Sequence, residues 1–400
     1  MANTASPAPR AVAIAGMLAL AAAMGIGRFA FTPLLPLMAR AGQLDLAWGG
    51  WLAAANYAGY FLGALSAARL PLGARALALA ALALTALSTA AMALPSLPLW
   101  LFLRFAAGAA SAWVFVATSV WCLGALARAG RLDLGGPVYA GVGGGIALTG
   151  LYCVAAAAAG LSPGALWVHL GVLVAVLSLP VAWVLPRLGA PASAATTAAT
   201  STAEPDHGAT GLIVCYGLMG FGYILPATFL PALARSVVDD PRLFGLAWPV
   251  FGATAALSTL VAGWWMRRTS RLQVWAVSQL LMGIGVLLPS LHVDGVTVAL
   301  SALLVGGTFM IITLAGVQEM RARAAPDAAA RLVGRITAAF ALGQIAGPVA
   351  SALLLHTPAL APHGLALALQ AAALGLLASG AWLWRRAVPA RTTTKESLHA

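Results

Sequence analysis

Charge is what this sequence has least of. Only 8% of its 400 residues are charged, where soluble domains carry about 25%, and a water-soluble globule is therefore excluded. Acids are the scarcest: ten Asp and Glu stand against 22 Lys and Arg, and all ten fall in predicted loops, tails or span ends. Of the histidines, only His169 sits inside a long apolar run. No metal cluster, catalytic dyad or Ser/His/Asp set can be assembled at membrane depth from such a residue set. An enzyme is not expected, and neither is a cofactor or a metal. The three cysteines, Cys122, Cys153 and Cys215, lie inside apolar runs without metal or redox spacing and read as small core residues.

What the chain has in abundance is apolar length. It is 62% hydrophobic, with a mean hydropathy of +0.93. Runs of 18 or more apolar residues recur, each able to cross a hydrocarbon core about 30 Å thick. They lack the period-two alternation of barrel strands, so the class is all-α integral membrane. The first run is too long for a signal-peptide core and reads as a retained helix. We read twelve spans: residues 11–38, 47–68, 74–94, 98–126, 134–159, 164–186, 210–234, 243–266, 272–290, 295–320, 331–355 and 363–385.

The net charge of +12 points away from nucleic acid, because the basic residues sit singly or in pairs at the ends of apolar runs. With the N-terminus inside, seventeen of them fall on the cytoplasmic side and three on the other. Basic residues concentrate on the cytoplasmic side, so both termini are expected there, in a cell inner membrane. Only Arg28 and Arg104 are left inside spans.

One stretch occurs twice. "MGIGRFAFTPLLPLMAR", Met24 to Arg40, returns as "MGFGYILPATFLPALAR", Met219 to Arg235, with the same Met-Gly-x-Gly opening, the same Pro (Pro36, Pro231) and the same Ala-Arg close. Where the first copy carries Arg28, the second carries Tyr223. A looser match pairs Gly141 and Gly145 with Gly343 and Gly347. Between the copies, residues 189–210 are an Ala/Ser/Thr stretch of linker composition. The expected organisation is an N-terminal six-helix half over residues 1–188, a cytoplasmic linker over 189–210, and a C-terminal half with its tail over 211–400. Parallel six-helix repeats of this kind are built by transporters with two rocking halves.

Three further patterns carry a resemblance. "RFAAGAASA" from Arg104 resembles the Arg-x-x-x-Gly pattern of the major facilitator superfamily. "GALSAARLPLGAR" resembles its loop between helices 2 and 3, with Ala67 where the family has Asp. "GQIAGP", Gly343 to Pro348, is similar to a common helix 11 sequence. "GIGRFAFTPLLPLM" with "WGGWLAAANYAGYFLGAL" resembles the YbfB/YjiJ branch. The resemblance implies alternating access and a central cavity lined by helices 1, 4, 7 and 10. Ala67 puts the charge relay of that loop in doubt.

The candidate substrate-binding residues are polar groups at membrane depth. Arg28 lies twelve residues inside Arg40, about 18 Å at 1.5 Å per residue. A guanidinium there costs at least ~2.5–3.5 kcal/mol. It must bind an anion in a wet cavity or satisfy carbonyls freed near Gly25, Gly27 and Pro33. Arg104 is near enough to a helix end to snorkel, although the family resemblance implies a cavity role. Asn56 and Tyr60 share a helix face, with an interhelical hydrogen bond as the plainer role for Asn56. Tyr216 and Tyr223 share another. Gln318, Gln344 and Trp248 are weaker candidates, more often packing residues. "GVGGGIALTG", Gly141 to Gly150, lacks the strand and the acid of a dinucleotide site and reads as close helix packing. The expected function is a monomeric secondary transporter of a small anionic organic solute, its partners being that solute and the bilayer. The alternative is a ligand sensor or scaffold on the same fold.

Overall fold

The computed structural model describes residues 7–44, 46–188, 207–237, 247–323, 328–357, 359–360 and 363–387. The expected linker falls almost wholly outside them, as do the side chains of Pro231 and Arg235. Every regular element among the described residues is helical. The first span comprises α1 (Pro9–Leu20), a π-helical segment (Ala21–Arg28) and α2 (Phe31–Arg40). Next come α3 (Leu46–Ser66), α4 (Ala74–Ala91), α5 (Leu97–Arg128), α6 (Gly135–Ala158) and α7 (Pro163–Val184). After the linker follow α8 (His207–Val237), α9 (Ala247–Trp265), α10 (Arg271–Leu291), α11 (Gly295–Arg323), α12 (Ala329–His356) and α13 (Gly364–Ala387).

Among the described residues, ten helices are long and apolar enough to cross a membrane. The two long helices outside that set are α3, with 21 residues, and α9, with 19. Large apolar side chains point outward, such as Leu87 (70% exposed) and Leu179 (66%), while Thr, Ser, Gln and Arg side chains are buried. That inversion suits a bundle whose surrounding solvent is hydrocarbon. Helix starts use ordinary caps: Ser162 accepts from the Ala165 amide, and Ser270 forms a capping box with Gln273.

Packing follows one pattern on each side of the linker. The first span packs on α5, α6 and α7, and α5 packs on α3 and α4. Correspondingly, α8 packs on α11, α12 and α13, and α11 packs on α9 and α10. The repeated glycines explain why. A Cβ on Gly25 would lie 2.5 Å from the Gly145 Cα, and one on Gly220, its counterpart in the second copy, 2.2 Å from the Phe340 carbonyl oxygen. Only glycine allows the two backbones to approach so closely at these crossings. The Gly141–Gly150 segment behaves as its composition implied. Gly141 and Gly145 receive α1 and the π-helical segment, while Gly143 and Gly150 receive α9. The cysteines are buried and free.

Contacts between the two sets run mainly along two seams: α6 lies along α9, as closely packed as helices within one set, and α12 lies along α3. Arg321 of α11 also donates to the carbonyls of Ser119 (2.6 Å) and Val120 (3.4 Å) of α5. Glu319 near the end of α11 has two arginine partners. Arg323 is one (2.8 Å), and the other is Arg271 of α10 (3.1 Å), which a single-helix reading could not place nearby.

Candidate functional site

The first span loses its regular ladder where the sequence is weakest. Gly25 and Gly27 have poor helix propensity, and Pro33 and Pro36 bring no amide hydrogen to the turns above them. The π-helical segment ends at Arg28, with the Phe29 amide reaching back to Met24 (3.3 Å). Insertions of this type gather at functional sites. Here the segment leaves two carbonyls, Gly27 and Arg28, in need of donors.

Arg104 supplies them. Its Nη1 donates to the Gly27 carbonyl (3.4 Å) and its Nη2 to the Arg28 carbonyl (3.2 Å), while the guanidinium lies 4.8 Å from the Phe31 ring centre. With 3% of its surface exposed, Arg104 does not snorkel. The role of satisfying carbonyls near Gly27, weighed for Arg28 on sequence grounds, is therefore performed by its neighbour. Asn56 belongs to the same scaffold, since its Nδ2 donates to the Arg104 carbonyl (2.9 Å).

Arg28 is left free to face inward. It is 2% exposed and lies over the Tyr60 ring at 3.7 Å from the centre. Its Nη2 donates to Gln344 Oε1 of α12, while Nε and Nη1 have no hydrogen-bond partner. The Tyr223 hydroxyl and Gln344 Nε2 are also buried without a partner. Among the described residues no buried acid pairs with either arginine: the buried charged groups are Arg28, Arg104 and Glu319, and Glu319 is engaged by Arg271 and Arg323.

Arg28 and Tyr223, at equivalent places in the two copies, line one cavity of about 20 Å³ midway along the helices. Tyr60 and Tyr216 line it too, whereas Asn56 and Arg104 stand behind the wall. Beyond the helices expected from the family resemblance, α3 contributes Tyr60, and α12 contributes Thr337 and Phe340. Aromatic rings dominate the wall on the α8–α12 side. Trp248, Phe251, Phe309 and Tyr223 form a stack with successive centre distances of 5.4, 5.3 and 4.8 Å. Phe340 packs beside Tyr216 (5.8 Å) and Tyr223 (6.1 Å). Phe29 meets Trp248 across the two sets of helices at 6.3 Å.

Sequence reasoning ranked Gln344 low and gave no weight to Phe309 or Phe340. A glutamine facing a partner helix was the available signal for the first. For the phenylalanines no signal existed, because an apolar ring in a membrane span reads alike whether it faces lipid or a cavity.

Comparison with known proteins agrees with this architecture. The protein-family model described as "Uncharacterised MFS-type transporter YbfB" matches residues 20–382. No curated protein matches the chain significantly. Among solved structures, the crystal structure of the human organic anion transporter MFSD10 (TETRAN) is similar in fold. The TM-score is 0.70 at 16% identity, covering 94% of this chain and 100% of that one. The chain is therefore a multi-pass membrane transporter that belongs to the major facilitator superfamily, in its YbfB-like family.

Proposed function

We propose that this transporter moves a small organic anion across the inner membrane by alternating access, as a monomer with both termini in the cytoplasm. Twelve spans in two six-helix halves, residues 1–188 and 211–400, rock about the central cavity. The duplicated packing pattern around the Gly25 and Gly220 crossings supports the two-half organisation. The α6–α9 and α12–α3 contacts are the seams along which the halves would part.

Arg28 is the observation that carries the reading. It is a buried cation with two unpartnered N–H groups, on the wall of a cavity formed by both halves, with no acid to neutralise it among the lining residues. Burying an unpaired charge at this depth is expensive, and a bound anion would offset that cost. A cation would add to it.

The test is counterflow in proteoliposomes loaded in turn with labelled acetate, benzoate, succinate, methanesulfonate and benzylamine. Saturable counterflow of at least one of the anions is expected, abolished by Arg28→Ala and weakened by Arg28→Lys, which keeps the charge but loses the planar fork. Counterflow of benzylamine alone, or undiminished anion flux in a folded Arg28→Ala protein, would refute the proposal.

A further inference from the structure

The cavity wall says more about the anion than its sign, granted the transport reading above. We infer that the solute is a monocarboxylate with a flat aromatic body, its carboxylate on Arg28 and its ring against the stacked rings of the C-terminal half.

The head group follows from a donor count. A guanidinium carries five N–H hydrogens, two of them on Nη2. Gln344 Oε1 takes one Nη2 hydrogen, and Nε and Nη1 have no partner. Whichever Nη2 hydrogen Gln344 uses, the other still forms a two-donor edge with Nε or with Nη1. A carboxylate fits such an edge with both oxygens. The Tyr223 hydroxyl and Gln344 Nε2 add unpartnered donors. By contrast, the acceptor of the same amide is already engaged by Arg28. The site is rich in donors and poor in acceptors, so it calls for a ligand that brings lone pairs and few hydrogens.

The same count limits the rest of the molecule. A second carboxylate or a phosphate dianion would find no second cation on the wall, because Arg104 is committed to the Gly27 and Arg28 carbonyls. An amino acid would need an acid for its ammonium group, and no acid lines the cavity. A sugar would need acceptors for many hydroxyls. The wall offers it no carboxylate, only the lone pairs of hydroxyls such as Thr313 and Thr337, whose own hydrogens go to the Phe309 and Val333 carbonyls and cannot be donated in return.

The body follows from the walls. Seven of the twelve lining residues are aromatic, in a chain that is 8% aromatic. Tyr223 closes a four-ring stack whose successive interplanar angles are 5°, 16° and 25°. Of the four, Tyr223 at the end of the stack and Phe309 line the cavity, and a flat ring laid against the Tyr223 face would extend the stack in a way a puckered ring cannot. At about 20 Å³ the cavity holds a water rather than a solute, so the halves must part to admit one. The Arg28–Gln344 bond and the Phe29–Trp248 contact, which both cross between the halves, are where the ligand would insert.

Purified protein is titrated with benzoate, cyclohexanecarboxylate, phthalate, benzyl alcohol and benzylamine, with the shift in thermal unfolding as the readout and counterflow alongside. Benzoate should stabilise the protein and exchange. Cyclohexanecarboxylate, similar in size but puckered, should bind roughly 2- to 10-fold more weakly, the stacking increment expressed as affinity. Phthalate, the alcohol and the amine should have little effect. Tyr223→Phe should weaken benzoate on the order of tenfold, as loss of a hydrogen bond to a charged group implies, while keeping the preference for a flat ring. Tyr223→Leu should remove that preference, and circular dichroism reports whether each variant is folded. Counterflow of acetate or succinate with benzoate inert would overturn the inference and leave the transport reading standing. Counterflow of none of the anions would overturn both. A stronger response to benzylamine than to benzoate would show that the rings form a cation cage and refute the assignment.

Discussion

The two buried arginines should respond unequally to the same substitution. Replacing either by Met keeps most of the apolar stem and removes a charge whose burial costs about 2.5–3.5 kcal/mol on the insertion scale. For Arg28 the losses on the other side are the contact with the Tyr60 ring, about 0.5–2 kcal/mol, and one hydrogen bond. One neutral acceptor, Gln344 Oε1, is left unpaired, at about 1–3 kcal/mol, beside a cavity wide enough for a water. Arg28→Met should therefore change folding stability by no more than about 2 kcal/mol in either direction. Arg104 makes two charged hydrogen bonds to backbone carbonyls of the π-helical segment, each worth about 1.5–3 kcal/mol. Arg104→Met should destabilise by up to about 3 kcal/mol and loosen the turn that aims Arg28. Thermal unfolding of the purified proteins in one detergent reads the difference, and anion counterflow reads the function. Arg28→Met should be stable and inactive, Arg104→Met unstable with partial activity at low temperature. A protein destabilised more by Arg28→Met than by Arg104→Met would refute the division of roles.

Three other outcomes follow from the same geometry. Gly25→Val and Gly220→Val should each fail to assemble, as read by gel filtration, because the new side chain meets backbone of α6 or α12 that cannot move aside; normal assembly would mean the crossings are looser than described. Maleimide labelling of single cysteines at Ser201 and Asp240, in a background where Cys122, Cys153 and Cys215 are buried, should report opposite sides of the membrane, and labelling from one side would end the six-plus-six topology. Arg321→Ala removes a link between α11 and the Ser119 and Val120 carbonyls of α5, and should raise cysteine accessibility of the cavity from the cytoplasmic side; unchanged accessibility would show that this link does not help to keep the halves together.

The membrane class was legible in the long apolar runs and the family in its motifs, while four of the cavity residues were legible because polarity at membrane depth is rare and conspicuous. Arg28, Tyr60, Tyr216 and Tyr223 stood out for that reason, and all four line the cavity. The same signal also marked Asn56 and Arg104. Rarity says that a polar group needs partners, but not whether they come from a solute or from backbone. Telling these apart requires knowing that the π-helical segment frees the Gly27 and Arg28 carbonyls, a consequence of helix geometry rather than of residue type. The aromatic wall was hidden for the opposite reason, since phenylalanine is unremarkable in any apolar helix. The partnership of Glu319 with Arg271 joins two helices, and helical spacing along one of them could not reveal it.

Energy coupling is the last consequence of a cavity with a cation and no acid. A carrier that binds protons on its own carboxylate needs that group where it can alternate between the two sides. Glu319, the buried acid among the described residues, is instead held by Arg271 and Arg323 at the end of α11 that bears the basic residues. Those ion pairs are partly exposed, with about a third of each arginine side chain open, and pairs of that kind contribute about 0–1 kcal/mol. Glu319→Gln should therefore cost little stability and leave anion exchange intact at neutral pH. If net uptake depends on a pH gradient, the proton would travel on the solute's own carboxyl group, and the gradient dependence should survive Glu319→Gln. Loss of gradient-driven uptake in Glu319→Gln with exchange preserved would place the coupling proton on the protein and refute this account.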